Sequence, residues 1–145
     1  MKLLPIINQL KAATTLFAGR IAGASEYANE VVAASMQLPC AFVMRGSITT
    51  PENPDAVGEL VQVLTEEFGV AVAVDNSLDG RGQAAEEFLD DIRTELLKAL
   101  LGWQPPDPDQ NTFVYAGEQP LEINRGRLWR LFLFSTMSTR SSLDL

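Results

Sequence analysis

The chain has 145 residues, 46% of them hydrophobic and 21% charged, with a net charge of −8, one cysteine and no histidine. That length fits a single domain, 1–145, that buries roughly 68–70% of its unfolded surface. The missing histidine removes the commonest general base, the usual zinc ligand and any Ser-His or Cys-His pair. The lone Cys40 excludes an internal disulfide, and the acidity argues against nucleic-acid phosphates as a ligand.

The charge is segregated. Residues 52–109 hold 14 acids against 3 bases, whereas the segments on either side are slightly basic. No apolar run reaches the ~18 residues of a membrane span. Asn8, Gln9 and Lys11 interrupt the apolar start, which argues against a signal peptide.

In chain order, Leu3 to Phe17 reads as a first helix, with Leu3, Ile6, Ile7 and Leu10 on its apolar face and Pro5 in its first turn. Ser25 to Ser35 reads as a second, with Ser25 as N-cap and Tyr27, Val31 and Val32 inward. Cys40 to Met44 reads as a strand, and Arg45 to Pro54 as a loop. Ala56 to Phe68 fits two templates. Val57, Leu60, Val61, Leu64 and Phe68 have helical spacing, while Val61, Val63 and Thr65 alternate as in a strand that turns at Gly69.

Val70, Val72 and Val74 alternate with alanines, as in a buried strand. A polar turn follows, then one long amphipathic helix over about 82–101. Its inner face is Ala85, Phe88, Leu89, Ile92, Leu96, Ala99 and Leu100, and Gly102 is its C-cap. Residues 103–110 form a proline-rich linker. Residues 112–116, 121–123 and 127–136 read as an antiparallel meander that turns at Gly117-Glu118 and at Asn124-Arg125-Gly126. Residues 136–145 read as a mobile tail. The expected fold class is α+β, a central mixed or antiparallel sheet flanked by helices.

Three features carry candidate chemistry. Asp75, Ser77, Asp79 and Glu86, with Gly80, match the oxygen-ligand spacing of an EF-hand calcium loop. Gly82 stands where an apolar residue belongs, and the preceding segment suits a strand better than a helix. The bland alternative is a strand-to-helix turn capped by Asp79. Second, Glu87, Asp91 and Glu95 recur every fourth residue on the long helix, either as a solvated face or as a docking face for a basic surface. Third, Arg125, Arg127 and Arg130 form the one basic cluster, either a subunit contact or a solvated edge. Gly80-Arg81-Gly82 lacks the lysine and glycine spacing of a phosphate loop. Nothing here implies a cofactor or a catalytic residue.

Several spaced stretches together carry a likeness: LKAATTLFAGRIAGASEYA, PCAFVM, FGVAVAVDN followed by RGQAA, LLKALLGWQPP and RLWRLFLFST. They resemble the tail terminator (tail completion) proteins of long-tailed bacteriophages over most of residues 10–135. The resemblance implies a small α+β virion protein with no catalytic residues, and it favours strand over helix before Gly69. It implies a homohexameric ring that caps the tail tube at full length and joins it to the head-proximal connector. The partners implied are further copies of the chain, the tail tube protein and the connector, with DNA passing through the lumen without specific binding and no membrane. The implied location is the head-proximal end of the tail, and the host cytoplasm during assembly. The acidic helix and the arginine cluster are the candidate complementary surfaces of such a ring. The alternative is a small calcium-binding module using the loop at 75–86.

Overall fold

The computed structural model describes residues 1–50, 61–77, 83–107 and 110–141. Its elements in chain order are α1 (Leu4–Ala13), β1 (Ile21–Ala22), α2 (Ala24–Ala33), β2 (Cys40–Thr49), β3 (Val61–Asp75), α3 (Gln83–Leu100), β4 (Val114–Asn124) and β5 (Arg127–Ser141). The strands form one mixed sheet in the order β1-β2-β3-β5-β4. Only the β1–β2 pair is parallel. The α+β class is therefore as expected, and α3 agrees with the long helix read from the sequence.

The centre of the sheet is β3, and its sequence shows why. Val70, Val72 and Val74 point to one face, into a core shared with Ile6 and Leu10 of α1 and Leu89, Ile92 and Leu96 of α3. Ala71 and Ala73 point to the other face, beneath Phe42 and Trp129 and the helix α2. Valine on one side and alanine on the other let a wide helix pair pack above and large rings pack below. Tyr27, Phe42 and Trp129 meet with centroids 5.4–5.9 Å apart.

Several boundaries differ from expectation. β3 runs straight through Gly69, with no turn, because β5 pairs with all of it from Val61↔Ser141 to Asp75↔Arg127. That same pairing makes 136–141 a strand rather than a mobile tail; residues 142–145 lie outside the described set. β2 continues to Thr49 where a loop was expected from Arg45, with a register shift between Arg45 and Ile48. Residues 51–60, which include part of that loop and of the ambiguous segment, are outside the described set.

Gly117 is not a turn. It sits at a register shift inside β4 with φ +126°, a bulge that glycine accommodates. The turn at Arg125-Gly126 is as expected: both residues have positive φ, 53° and 72°, as a two-residue hairpin loop with the strands' right-handed twist requires. α1 stops at Ala13, four residues before the expected end, and α2 is preceded by Gly23 rather than capped by Ser25. Val32, expected inward, is 68% exposed, and Glu30 is buried instead.

Candidate interaction surfaces

The acidic face of α3 is built by helical spacing. With Leu89, Ile92 and Leu96 turned inward, Glu87 and Asp91 are left exposed and Glu95 half-buried, none of them in an ion pair among the described residues. Other acids on this helix are held within the chain. Arg93 bonds Asp90 at 3.1 Å and forks onto Glu118 of β4, its Nη2 donating at 3.0 Å. Arg130 of β5 reaches Glu86, and its Nη1 lies 3.5 Å from Glu118 Oε2, the oxygen that also accepts from Arg93 Nη2. The Tyr115 hydroxyl donates to Glu118 as well. One carboxylate on an edge strand thus collects two guanidiniums and a phenol. Arg93 holds the Glu118 carboxyl below its ordinary range, and burial with the Glu118 charge pushes Tyr115 up to about 12.

The arginine cluster does not stay together. Arg125 is exposed in the hairpin turn. Arg127 is 6% exposed and inside the protein, where it pairs with Glu30 and donates to the Met36 carbonyl at 2.6 Å. This corrects its reading as a surface contact: a hairpin that places Arg127 at the start of β5 under α2 gives it a partner in its own chain. Arg130 likewise serves the α3–β5 contact of the same subunit. Of the six candidate residues, Arg125, Glu87 and Asp91 remain exposed, and Glu95 is accessible in part.

The loop at 75–86 differs from an EF-hand in what precedes it, which is strand β3 rather than a helix. Asp75 Oδ1 accepts from the Ser77 N–H at 2.8 Å and from its hydroxyl at 2.6 Å, a local turn that keeps the exposed Asp75 carboxyl below its usual range. Glu86 is engaged by Arg130. Asp79 lies outside the described residues. Among the described residues, no three His, Cys, Asp or Glu side chains group as a metal site, and no helix is long and apolar enough to cross a membrane.

Sequence reasoning missed Glu118 and Glu30. For Glu118 no local signal exists, since its partners come from α3 and β5. For Glu30 a signal was present: it sits between Tyr27 and Val31 on the inward arc of α2, where a carboxylate requires a buried partner.

The fold and its charged groups describe an α+β domain whose buried and half-buried ion pairs fasten its own elements. Over residues 1–142 the sequence matches the family model described as phage tail terminator protein. The chain belongs to that family and is a structural protein of a phage tail, in contact with other virion proteins. The fold is similar to that of a chain in the solved virion of a native gene transfer agent particle. That chain is 14% identical, with coverage of 94% of this chain and 95% of that one, and a TM-score of 0.52. No curated protein matches the sequence.

Proposed function

We propose that this protein is a non-enzymatic ring, a homohexamer that closes the tail tube at full length and joins it to the head-proximal connector. The observation that carries the reading is the family match, which spans all but the last three residues. The charge distribution supports it: exposed carboxylates on α3 suit a passage through which DNA moves without sticking. Its partners are then further copies of itself, the tube protein and the connector, met in the host cytoplasm during assembly and retained in the virion.

The test is the solution mass by light scattering behind a sizing column, followed by addition of purified tail tubes and electron microscopy of their ends. A mass of six subunits, or six-fold rings seated on tube ends, is expected. Tubes whose ends stay bare, from a protein that stays monomeric, overturn the reading.

A further inference from the structure

The proline-rich stretch after α3 is held in place by hydrogen bonds of its own. Gln104 Nε2 donates to the Gln110 carbonyl at 2.8 Å, and the Gln110 N–H donates to the Asp107 carbonyl at 3.1 Å. The next residue, Asn111, is tied to β5 twice. Its N–H donates to the Met137 carbonyl at 3.0 Å, and its carbonyl accepts from the Thr136 hydroxyl at 2.8 Å. Trp103 packs on the buried ring of Phe113, with centroids 5.7 Å apart. Against the start of α1 this stretch frames a hollow of about 260 Å³, lined by Ile6, Trp103, Pro105, Gln110 and Phe113, among others. A second hollow of about 420 Å³ adjoins it and shares Pro5, Trp103 and Pro106.

Gln110 gives the first hollow a polar demand. It is 4% exposed and lines the hollow, yet its Nε2 has no hydrogen-bond partner among the described residues. Ser138, opposite it in a β-bridge, is 1% exposed and its hydroxyl is unpartnered too, so the two do not satisfy each other. A buried amide donor without an acceptor is costly. The acceptor that Gln110 lacks is one that a ligand can carry in. Among the described lining residues of the two hollows, the ionisable ones are Lys2 and Asp107, one of each sign. That balance favours an occupant with no net charge.

We propose that the two adjoining hollows bind an extended, proline-containing segment of a partner protein, with a proline ring against Trp103 and a peptide carbonyl accepting from Gln110 Nε2. Aromatic-lined grooves are the general chemistry of polyproline recognition. Proline carries no N–H, so burying it in a mostly apolar hollow leaves no donor of its own unpaired, and its carbonyl is the acceptor that Gln110 needs. Two hollows side by side suit an elongated occupant over a compact one, and a polyproline II chain is extended before it binds. The hydrogen bonds of Gln104 and Asn111 fix the backbone of the site without the occupant, so binding costs little ordering. The proposal adds a peptide-binding site to the structural role.

The experiment titrates the full chain with a short polyproline peptide, acetylated and amidated at its ends, and follows tryptophan fluorescence. A glycine-serine peptide of equal length is the control. Trp103 is half-buried and lines the site, whereas Trp129 is 2% exposed in the core under α2. Saturable binding of the proline peptide alone is expected. Gln110→Leu keeps the volume and removes the orphaned donor. It is expected to weaken binding about tenfold while the melting temperature stays or rises, a pairing that a merely structural glutamine would not give. Trp103→Ala is expected to weaken binding further. No saturation at millimolar peptide overturns the proposal, as does equal binding of the control, or binding to Gln110→Leu as tight as to wild type. N-acetylprolinamide bound as tightly as the peptide assigns the site to a small amide and overturns the extended occupant.

Discussion

Glu30 and Arg127, 97 residues apart in sequence, form an ion pair inside the protein between α2 and the first residue of β5. The same carboxylate accepts the Met36 N–H at 2.8 Å and the Ser35 N–H and hydroxyl at 3.1 and 3.0 Å. Glu30 therefore closes the chain leaving α2 and fastens it to the sheet. Burial alone would raise its pKa. The Met36 N–H, Arg127 and Ser35 outweigh burial and hold it below the ordinary range.

Removing one member of this pair leaves the other buried and uncompensated. Arg127→Met is expected to cost about 3 kcal/mol of folding stability. Arg125→Met, two residues away but exposed, is expected to stay within about 0.5 kcal/mol. Urea unfolding followed by tryptophan fluorescence measures both, since Trp129 packs on Tyr27 of α2. Equal costs for the two substitutions would refute the interior role of Arg127.

The Glu118 cluster makes stability depend on pH at both ends of the scale. The folded-state pKa of Glu118 is depressed, so its contribution is present above the unfolded value of about 4.3 and is lost as pH falls through the lower folded value. Tyr115 is raised to about 12. Its contribution is present below the unfolded value of about 10 and is lost as pH rises through about 12. Melting temperature against pH is expected to fall at both extremes, with Glu118→Gln flattening the acid limb and Tyr115→Phe the alkaline limb. Curves that coincide with wild type would show that the cluster contributes nothing.

Cys40 has no exposed surface, and burial pushes its thiol up to about 11. Thiolate is the reactive form. At pH 8 a disulfide reagent is therefore expected to react at a rate limited by unfolding, and at once in denaturant. Rapid stoichiometric labelling of the folded protein would contradict the burial.

Calcium is expected to leave the melting temperature unchanged. Asp75 is committed to its turn with Ser77, and Glu86 to Arg130. A ligand that bound the folded state would raise the midpoint with concentration. Such a rise, abolished by Asp75→Asn, would restore the loop as a metal site.

Local pattern alone encodes several of the elements. The alternation of Val70, Val72 and Val74 shows as a strand because every second residue shares a face. The inner stripe of α3 shows at helical spacing, and the Arg125-Gly126 turn shows because few residues adopt positive φ. Family membership was legible in the same way, from spaced segments rather than from a site.

Where strands continue and which charges meet follow instead from contacts between distant parts of the chain. Polar stretches such as Arg45–Thr49 and Met137–Ser141 look like loop or tail, yet they are strands because a neighbouring strand supplies their hydrogen bonds. Arg125, Arg127 and Arg130 look alike in sequence and end in three environments: solvent, the interior beside Glu30, and the α3 contact. Hydrogen bonding between strands and ion pairing across a core depend on residues far away in the chain, and no local pattern records them.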